Sequence, residues 1–152
     1  MDPQRGQAIV LIAIMLAVVI GMAALAIDGS RAYEVRRDLQ AAVDAAALAE
    51  GDKLQQAGDY PTAEQAASSI FGVNLRLYAV PSCQGGYRSP GASPVTVTCT
   101  YSDGTVMTQV VSALGPQGSQ FNIAATRSLV LEFARILTSG TAPVSLCAPP
   151  MR

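Results

Sequence analysis

Histidine is absent from the chain, and lysine occurs once, at Lys53. Without histidine, neither a Ser-His-Asp nor a Cys-His nucleophile pair can form, and a histidine-ligated metal site is excluded. Four acidic residues could in principle pair for acid-base chemistry, but their predicted positions along a solvated helix favour a role as surface charge. They are Asp28, Asp38, Asp44 and Glu50. The sequence therefore predicts no enzymatic activity, no catalytic residue, no metal site and no cofactor.

Charge is sparse as well, since charged residues make up 14% of the chain and the net charge is -1. Nucleic-acid binding requires a basic face that displaces counterions from phosphates, so we do not expect nucleic acid as a partner. After an N-terminal apolar helix and its continuation, roughly 100 residues remain, which suffices for one modest domain.

An uncharged segment runs from Ala8 to Ile27. Its length matches the roughly 20 residues that a helix needs to cross a bilayer. The sequence thus divides into a short basic leader (residues 1–6), a transmembrane or filament-core helix (7–27) and an exposed domain (28–152).

Two processing alternatives stay open. One is removal of a secretory signal after Ala26, although the apolar run is longer than most signal cores. The other is cleavage of the leader between Gly6 and Gln7.

Small residues recur every four positions within this run, at Ala13, Ala17 and Gly21. At that interval they form one stripe along a helix, and small side chains allow close helix approach in lipid. The stripe predicts a packing seam for copies of the chain or for a partner helix. Chance recurrence in an alanine-rich segment is the alternative.

The helical periodicity continues beyond Asp28, without proline, as far as Glu50, and Gly51 is expected to end the helix. Apolar residues at steps of three and four give residues 28–50 a stalk-helix face directed at the domain. This face consists of Ala32, Val35, Leu39, Ala42, Val43, Ala46 and Ala49.

Basic residues flanking the run give conflicting evidence on orientation. Arg5 precedes it, whereas Arg31, Arg36 and Arg37 follow it, and the positive-inside rule alone would place the domain in the cytoplasm. The cysteine pattern and the resemblance described below favour export instead.

The rest of the chain predicts a second helix followed by strands. Asp59 or Thr62 is a candidate N-cap with Pro61 in the first turn, and the helix is expected to end near Gly72. Period-two alternation predicts strands near residues 75–79, 95–100, 105–114, 121–130 and 143–148, with a short helix over 131–138. The Asp103-Gly104 turn predicts an antiparallel hairpin of the second and third strands. The expected fold is α+β, with a long N-terminal helix packed on a small antiparallel sheet.

Three cysteines are present, at Cys83, Cys99 and Cys147. A Cys83–Cys99 bridge would close a loop of about 15 residues and stabilise a small domain outside the cytoplasm by roughly 3 kcal/mol. Three unpaired thiols in a reducing compartment are the alternative. In the bridged case Cys147 is left over, either free or paired between copies.

Two parts of the sequence resemble TadE/TadG-like proteins of tight-adherence (Flp-type) pilus systems. The first is the N-terminal region, with Arg5-Gly6-Gln7, the apolar run, an acidic residue at its exit and the Ala/Asp-rich helix that follows. The second, looser one is 123–137. The resemblance implies a pilin-like or pseudopilin-like fold, with possible prepilin-peptidase cleavage after Gly6. The chain departs from pilins at Leu11, where they keep a glutamate five residues into the mature helix.

The resemblance implies that the protein is a structural subunit of a bacterial surface filament. The chain would be anchored in the inner membrane, export its C-terminal domain, and assemble with copies of itself and with pilus assembly machinery after contact with membrane lipid. Two alternatives are a minor membrane component that supports assembly or secretion without polymerising, and a membrane-tethered module that binds a ligand through the sheet or the 84–94 loop.

Overall fold

The computed structural model describes residues 4–85, 90, 93–113, 119–131, 133 and 143–148. Two helices precede five strands: α1 (Gln4–Ala57), α2 (Tyr60–Asn74), β1 (Ser82–Gln84), β2 (Val95–Thr100), β3 (Val106–Ala113), β4 (Ser119–Val130) and β5 (Pro143–Ala148). The predicted α+β arrangement, a long apolar helix packed on a small antiparallel sheet, is confirmed.

Helix α1 extends over 54 residues, so its axis is about 80 Å long. It does not end at Gly51, as the sequence analysis expected, but continues to Ala57. The residue that adopts the left-handed conformation is Gly58, with φ of 64° and an amide that donates to the Leu54 carbonyl at 2.8 Å. A glycine inside a helix costs only about 1 kcal/mol, so the helix continues across Gly51, and Leu54 beyond it is half-buried.

Helix α2 begins where the sequence predicted. The Asp59 side chain caps it by accepting from the Thr62 amide at 3.1 Å, and Pro61 lies in the first turn. At the other end, Leu75 forms the C-cap and Arg76 adopts a φ of 58°.

The strand predicted over 75–79 is wrong, because these residues terminate α2 instead. The Leu77 amide donates to the Gly72 carbonyl at 2.8 Å, which turns the chain back over the last helical turn. Leu75 and Leu77 are half-buried against the core on either side of the exposed Arg76. Their alternation therefore reflects a helix-terminating turn, and the first strand is the short β1.

The sheet is a meander in which each strand pairs antiparallel with the next, in the order β1-β2-β3-β4-β5. The predicted hairpin of β2 and β3 is present, with Val97 opposite Gln109. Its turn is closed by a hydrogen bond from the Tyr101 amide to the Thr105 carbonyl (2.9 Å), and Gly104 has a φ of 80°. The predicted helix over 131–138 lies, apart from residues 131 and 133, outside the described residues.

The core lies between the C-terminal half of α1, helix α2 and one face of the sheet. Leu39 and Val43 of α1, Phe71 of α2 and Val97 of β2 are all fully buried. Each such side chain contributes about 1.5–3 kcal/mol of transfer free energy. Tyr101 joins α2 to the sheet, since its hydroxyl donates to the Ser68 carbonyl at 2.6 Å and its ring lies 5.2 Å from that of Phe71.

Strand β4 runs beside α1 in the opposite direction. Its first residue, Ser119, is hydrogen-bonded to Tyr60, next to the C-terminal end of α1. Just beyond its last residue, the Phe133 amide donates to Asp28 Oδ2 at 3.2 Å. The two lengths agree, because β4 measures about 40 Å and α1 from Asp28 to Ala57 about 44 Å. The domain therefore reaches back to the residue at which the apolar run ends.

Candidate membrane and assembly surface

The N-terminal half of α1 is uncovered. Its large apolar side chains between Ile9 and Ile27 have exposed fractions from 48% to 76%. Among the described residues, α1 is the one helix long and apolar enough to cross a membrane, and 6% of its most apolar window is buried. A core helix of a soluble domain would be mostly buried, so the low burial excludes that role. Exposed apolar surface of this extent is typical of membrane or protein contact, although a signal sequence near the N-terminus passes the same test of length and composition.

The predicted seam residues Ala13, Ala17 and Gly21 all lie on this exposed part of α1. A Cβ atom built at Gly21 would meet nothing within 4 Å. The stripe is thus open to another helix along its length. The Gly6–Gln7 bond of the possible leader cleavage lies within the first turns of α1.

The predicted stalk-helix face is placed against the domain. Leu39, Ala42, Val43 and Ala46 are fully buried in the core, whereas Ala32, Val35 and Ala49 are half-buried. One helix therefore carries two apolar surfaces. The first, over 8–27, is exposed, and the second, over 32–49, is packed on α2 and the sheet. Because no break separates them, the position of the first fixes that of the domain.

Asp28 is not the solvated residue that the sequence analysis expected. It is 6% exposed, and its carboxylate accepts from the Phe133 amide. Asp38 is exposed as expected, while Asp44 is half-buried and accepts from Gln40 Nε2 at 2.9 Å. No local sequence signal predicts the Asp28 contact, because Phe133 lies 105 positions further along the chain.

Glu50 is fully buried, again contrary to the expectation of surface charge. It faces Glu64 of α2, which is also fully buried, and the Gln109 side chain of β3 donates to the Glu64 carbonyl at 3.1 Å. Both carboxylate oxygens of Glu50 lack a hydrogen-bond donor among the described residues. Burial, and secondarily the negative charge of Glu64, raises the pKa of Glu50 to about 8. Glu50 is therefore protonated in the folded domain at neutral pH.

The sequence did contain a signal for this burial. Glu50 follows Val43 by seven positions and Ala46 by four, so it lies on the same helical stripe as the stalk-helix face. The predicted stalk-helix face ends at Ala49 because the charge of Glu50 favours exposure to solvent. The pair has no access to solvent, so it cannot meet a substrate. Within the described part of the chain, no three potential metal ligands cluster.

The Cys83–Cys99 disulfide is present, which confirms that prediction. It joins β1 to β2 at directly opposed positions, and Cys99 is fully buried. Cys147 lies in β5 opposite Thr126. Most of the 84–94 loop, considered as a ligand site, lies outside the described residues.

Comparison with known protein families matches residues 6–51 to the family described as putative Flp pilus-assembly TadE/G-like. No curated protein and no solved structure matches the chain. The matched segment covers the exposed apolar half of α1 and the whole stalk-helix face, and it ends one residue after the buried Glu50. The looser resemblance over 123–137 lies outside it. Residues 6–51 are thus similar to the TadE/G-like family of putative Flp pilus-assembly proteins, in agreement with the resemblance that the N-terminal residues showed.

Proposed function

We propose that the protein is a non-enzymatic structural subunit that is anchored in the bacterial inner membrane by α1, exports its C-terminal domain and assembles into a surface filament of the tight-adherence type. The observation that carries the proposal is the exposed apolar half of α1, continuous with a helix that is buried in the domain. The TadE/G-like match lies on this same helix.

The exposed half of α1 suits two environments in turn. Its backbone hydrogen bonds are satisfied within the helix, so lipid and a bundle of apolar helices are both acceptable surroundings. The Ala13, Ala17 and Gly21 stripe supplies the close approach that helix association in the absence of water requires. A subunit would therefore leave the bilayer by exchanging lipid for copies of α1, while the sheets stay on the outside of the filament.

Export of the domain is supported by the Cys83–Cys99 disulfide, because such bonds persist in oxidising compartments and are rare in the cytosol. The disulfide is stronger evidence on orientation than the arginines at 31, 36 and 37, because the positive-inside rule describes only a tendency. The partners would be membrane lipid before assembly, further copies of the chain afterwards, and the pilus assembly machinery in between.

Electron microscopy of material purified from expressing cells tests filament formation. The variant Ala17→Leu places a larger side chain in the stripe, and Ala26→Leu makes the same change on the opposite side of the helix, where the residue is also exposed. We expect fibres from the wild type and from Ala26→Leu, and loss of fibres from Ala17→Leu with membrane insertion retained. Equal fibre yields from both variants would show that the stripe is not a packing seam.

The alternative within the same family is a minor component that remains in the membrane and supports assembly without polymerising. It predicts detergent-bound monomers from every preparation and no fibre built from this chain. A membrane-tethered binding module is a third candidate, with a ligand held by the sheet or by the 84–94 loop.

N-terminal sequencing of the mature protein distinguishes the processing alternatives. A first residue at Gln7 corresponds to leader cleavage after Gly6, one at Met1 to an uncleaved anchor, and one at Ile27 to removal of a secretory signal. The last result would remove the exposed apolar helix and contradict the proposed anchoring.

A further inference from the structure

Beyond α1, a second apolar feature lies at the level where the helix would leave the bilayer. Strand β4 ends at Val130, which is 46% exposed, and the chain continues through the half-buried Leu131 to Phe133, which is 37% exposed. We call Val130, Leu131 and Phe133 the β4 tip. It forms an apolar end on β4, in which Leu129 follows the polar residues Arg127 and Ser128.

The hydrogen bond from the Phe133 amide to Asp28 Oδ2 fixes the height of the β4 tip. Asp28 is the first charged residue after the apolar run, so it marks the boundary at which α1 would pass from hydrocarbon to headgroups. Burial of this carboxylate under the tip means that the domain holds the tip against α1 there. The tip and the exit of the helix are thus at the same depth.

Two exposed apolar side chains of α1 lie within the last helical turn before Asp28. Leu25 is 76% exposed and Ile27 is 54% exposed. Both belong to the proposed membrane-spanning segment, so the exposed apolar surface of α1 extends to the residue before Asp28. Phenylalanine and leucine are side chains that lie favourably at the boundary between headgroups and acyl chains.

We propose that the β4 tip is a second membrane contact, in which Phe133 and its neighbours enter the lipid interface beside the exit of α1. The occupant is lipid, because the exposed apolar tip is held at Asp28, the residue at which the apolar run of α1 ends. Two contacts, one by α1 and one by the tip, would hold the domain in a fixed orientation on the membrane, whereas a single helix would let it tilt and rotate. The inference rests on the proposed insertion of α1.

Tryptophan is absent from the chain, so a single introduced tryptophan reports its surroundings without background. Three full-length variants serve: Phe133→Trp in the tip, Leu16→Trp within the apolar run, and Leu48→Trp as the exposed control. Leu48 is 72% exposed and lies on α1, 20 positions after Asp28. Asp28 and Leu48 are therefore about 30 Å apart along the helix.

The variants are reconstituted into phosphatidylcholine and phosphatidylglycerol vesicles that contain lipids brominated either near the headgroup or deep in the acyl chain. We expect Leu16→Trp to be quenched most by deep bromine. Phe133→Trp should show blue-shifted emission and stronger quenching by shallow bromine, and Leu48→Trp should show neither. Val130→Trp is a second reporter of the tip, should Phe133→Trp disturb folding.

Failure of the inference is distinct from failure of the anchoring. If Leu16→Trp is quenched while both tip variants emit and quench like Leu48→Trp, the β4 tip is not in lipid. Blue-shifted tip emission without bromine quenching would assign the tip to a protein contact, such as a second copy, and would also overturn the proposal. Absence of quenching in Leu16→Trp would refute insertion of α1 and with it both claims.

Discussion

Replacing Glu50 by glutamine removes the ionisation of a carboxyl group buried between α1 and α2. In the folded domain the pKa of Glu50 is about 8, against an ordinary value of 4.5, because burial disfavours the charged form and the charge of Glu64 adds to this. In the unfolded chain Glu50 is hydrated and ionises near its ordinary value. The folded state thus binds a proton that the unfolded state releases over the intervening pH range.

This difference in proton binding determines whether the free energy of unfolding rises or falls with pH. A carboxyl group whose folded pKa is raised contributes fully to stability below the unfolded pKa, and its contribution falls as the pH rises towards the folded pKa. Between about pH 5 and about pH 7.5, a shift from 4.5 to about 8 lowers the free energy of unfolding by about 3 kcal/mol. Glutamine keeps the shape and cannot ionise, so Glu50→Gln should lose this pH dependence and be more stable than the wild type at about pH 7.5.

Urea titrations of the full chain in detergent micelles, followed by near-ultraviolet circular dichroism of the buried Tyr101, measure the free energy of unfolding. The matched control is Glu34→Gln, the same change at an exposed position of α1. We expect the wild type and Glu34→Gln to lose stability in parallel as the pH rises, and Glu50→Gln to show a flatter profile. Equal pH profiles for all three proteins would refute the assignment of a protonated Glu50.

Three further changes test the contacts that hold the domain together. Tyr101→Phe removes the hydroxyl that donates to the Ser68 carbonyl, so the free energy of unfolding should fall by about 1–2 kcal/mol. The control Tyr78→Phe, at an 81% exposed position, should change the free energy of unfolding by less than about 0.5 kcal/mol. The double variant Cys83→Ser/Cys99→Ser should lower it by about 3 kcal/mol in the same titration, since the bridge spans 16 positions; an unchanged midpoint would mean that the bond does not constrain the unfolded chain. Asp28→Ala removes the acceptor of the Phe133 amide and should accelerate exchange of that amide by about tenfold, a loss of about 1.4 kcal/mol, while Asp28→Asn, which keeps an acceptor oxygen, should restore most of the protection.

Local signals in the sequence predicted several elements correctly. The uncharged run and the helical spacing of Leu39, Val43 and Ala46 predicted α1 and its buried face, and Asp59 with Pro61 predicted the start of α2. The Asp103-Gly104 turn predicted the pairing of β2 and β3. Each of these features depends on residues that are close in sequence, so a short window contains the relevant physics.

The sequence-based predictions are wrong where contacts between distant elements determine the local structure or the burial of a residue. Leu75 and Leu77 have strand-like spacing, but they pack on the core from the turn that ends α2. Gly51 resembles a helix terminator, yet packing carries α1 past it to Gly58. Asp28 is buried by a contact with Phe133, 105 positions further along the chain, and no local window contains that partner. Glu50 does lie on the buried stripe of α1, but its charge favours solvent when the packing of α2 is unknown.

The central claim is that the apolar half of α1 is always covered, by lipid or by other helices. Alkaline carbonate extraction of membranes from cells that express the full chain, followed by flotation on a density gradient, tests it most directly. The account predicts that the intact protein floats with the lipid, or sediments as fibres, and is released as a monomer only by detergent. Recovery of the intact chain, with residues 8–27 present by mass, as a soluble monomer in the carbonate supernatant would contradict it.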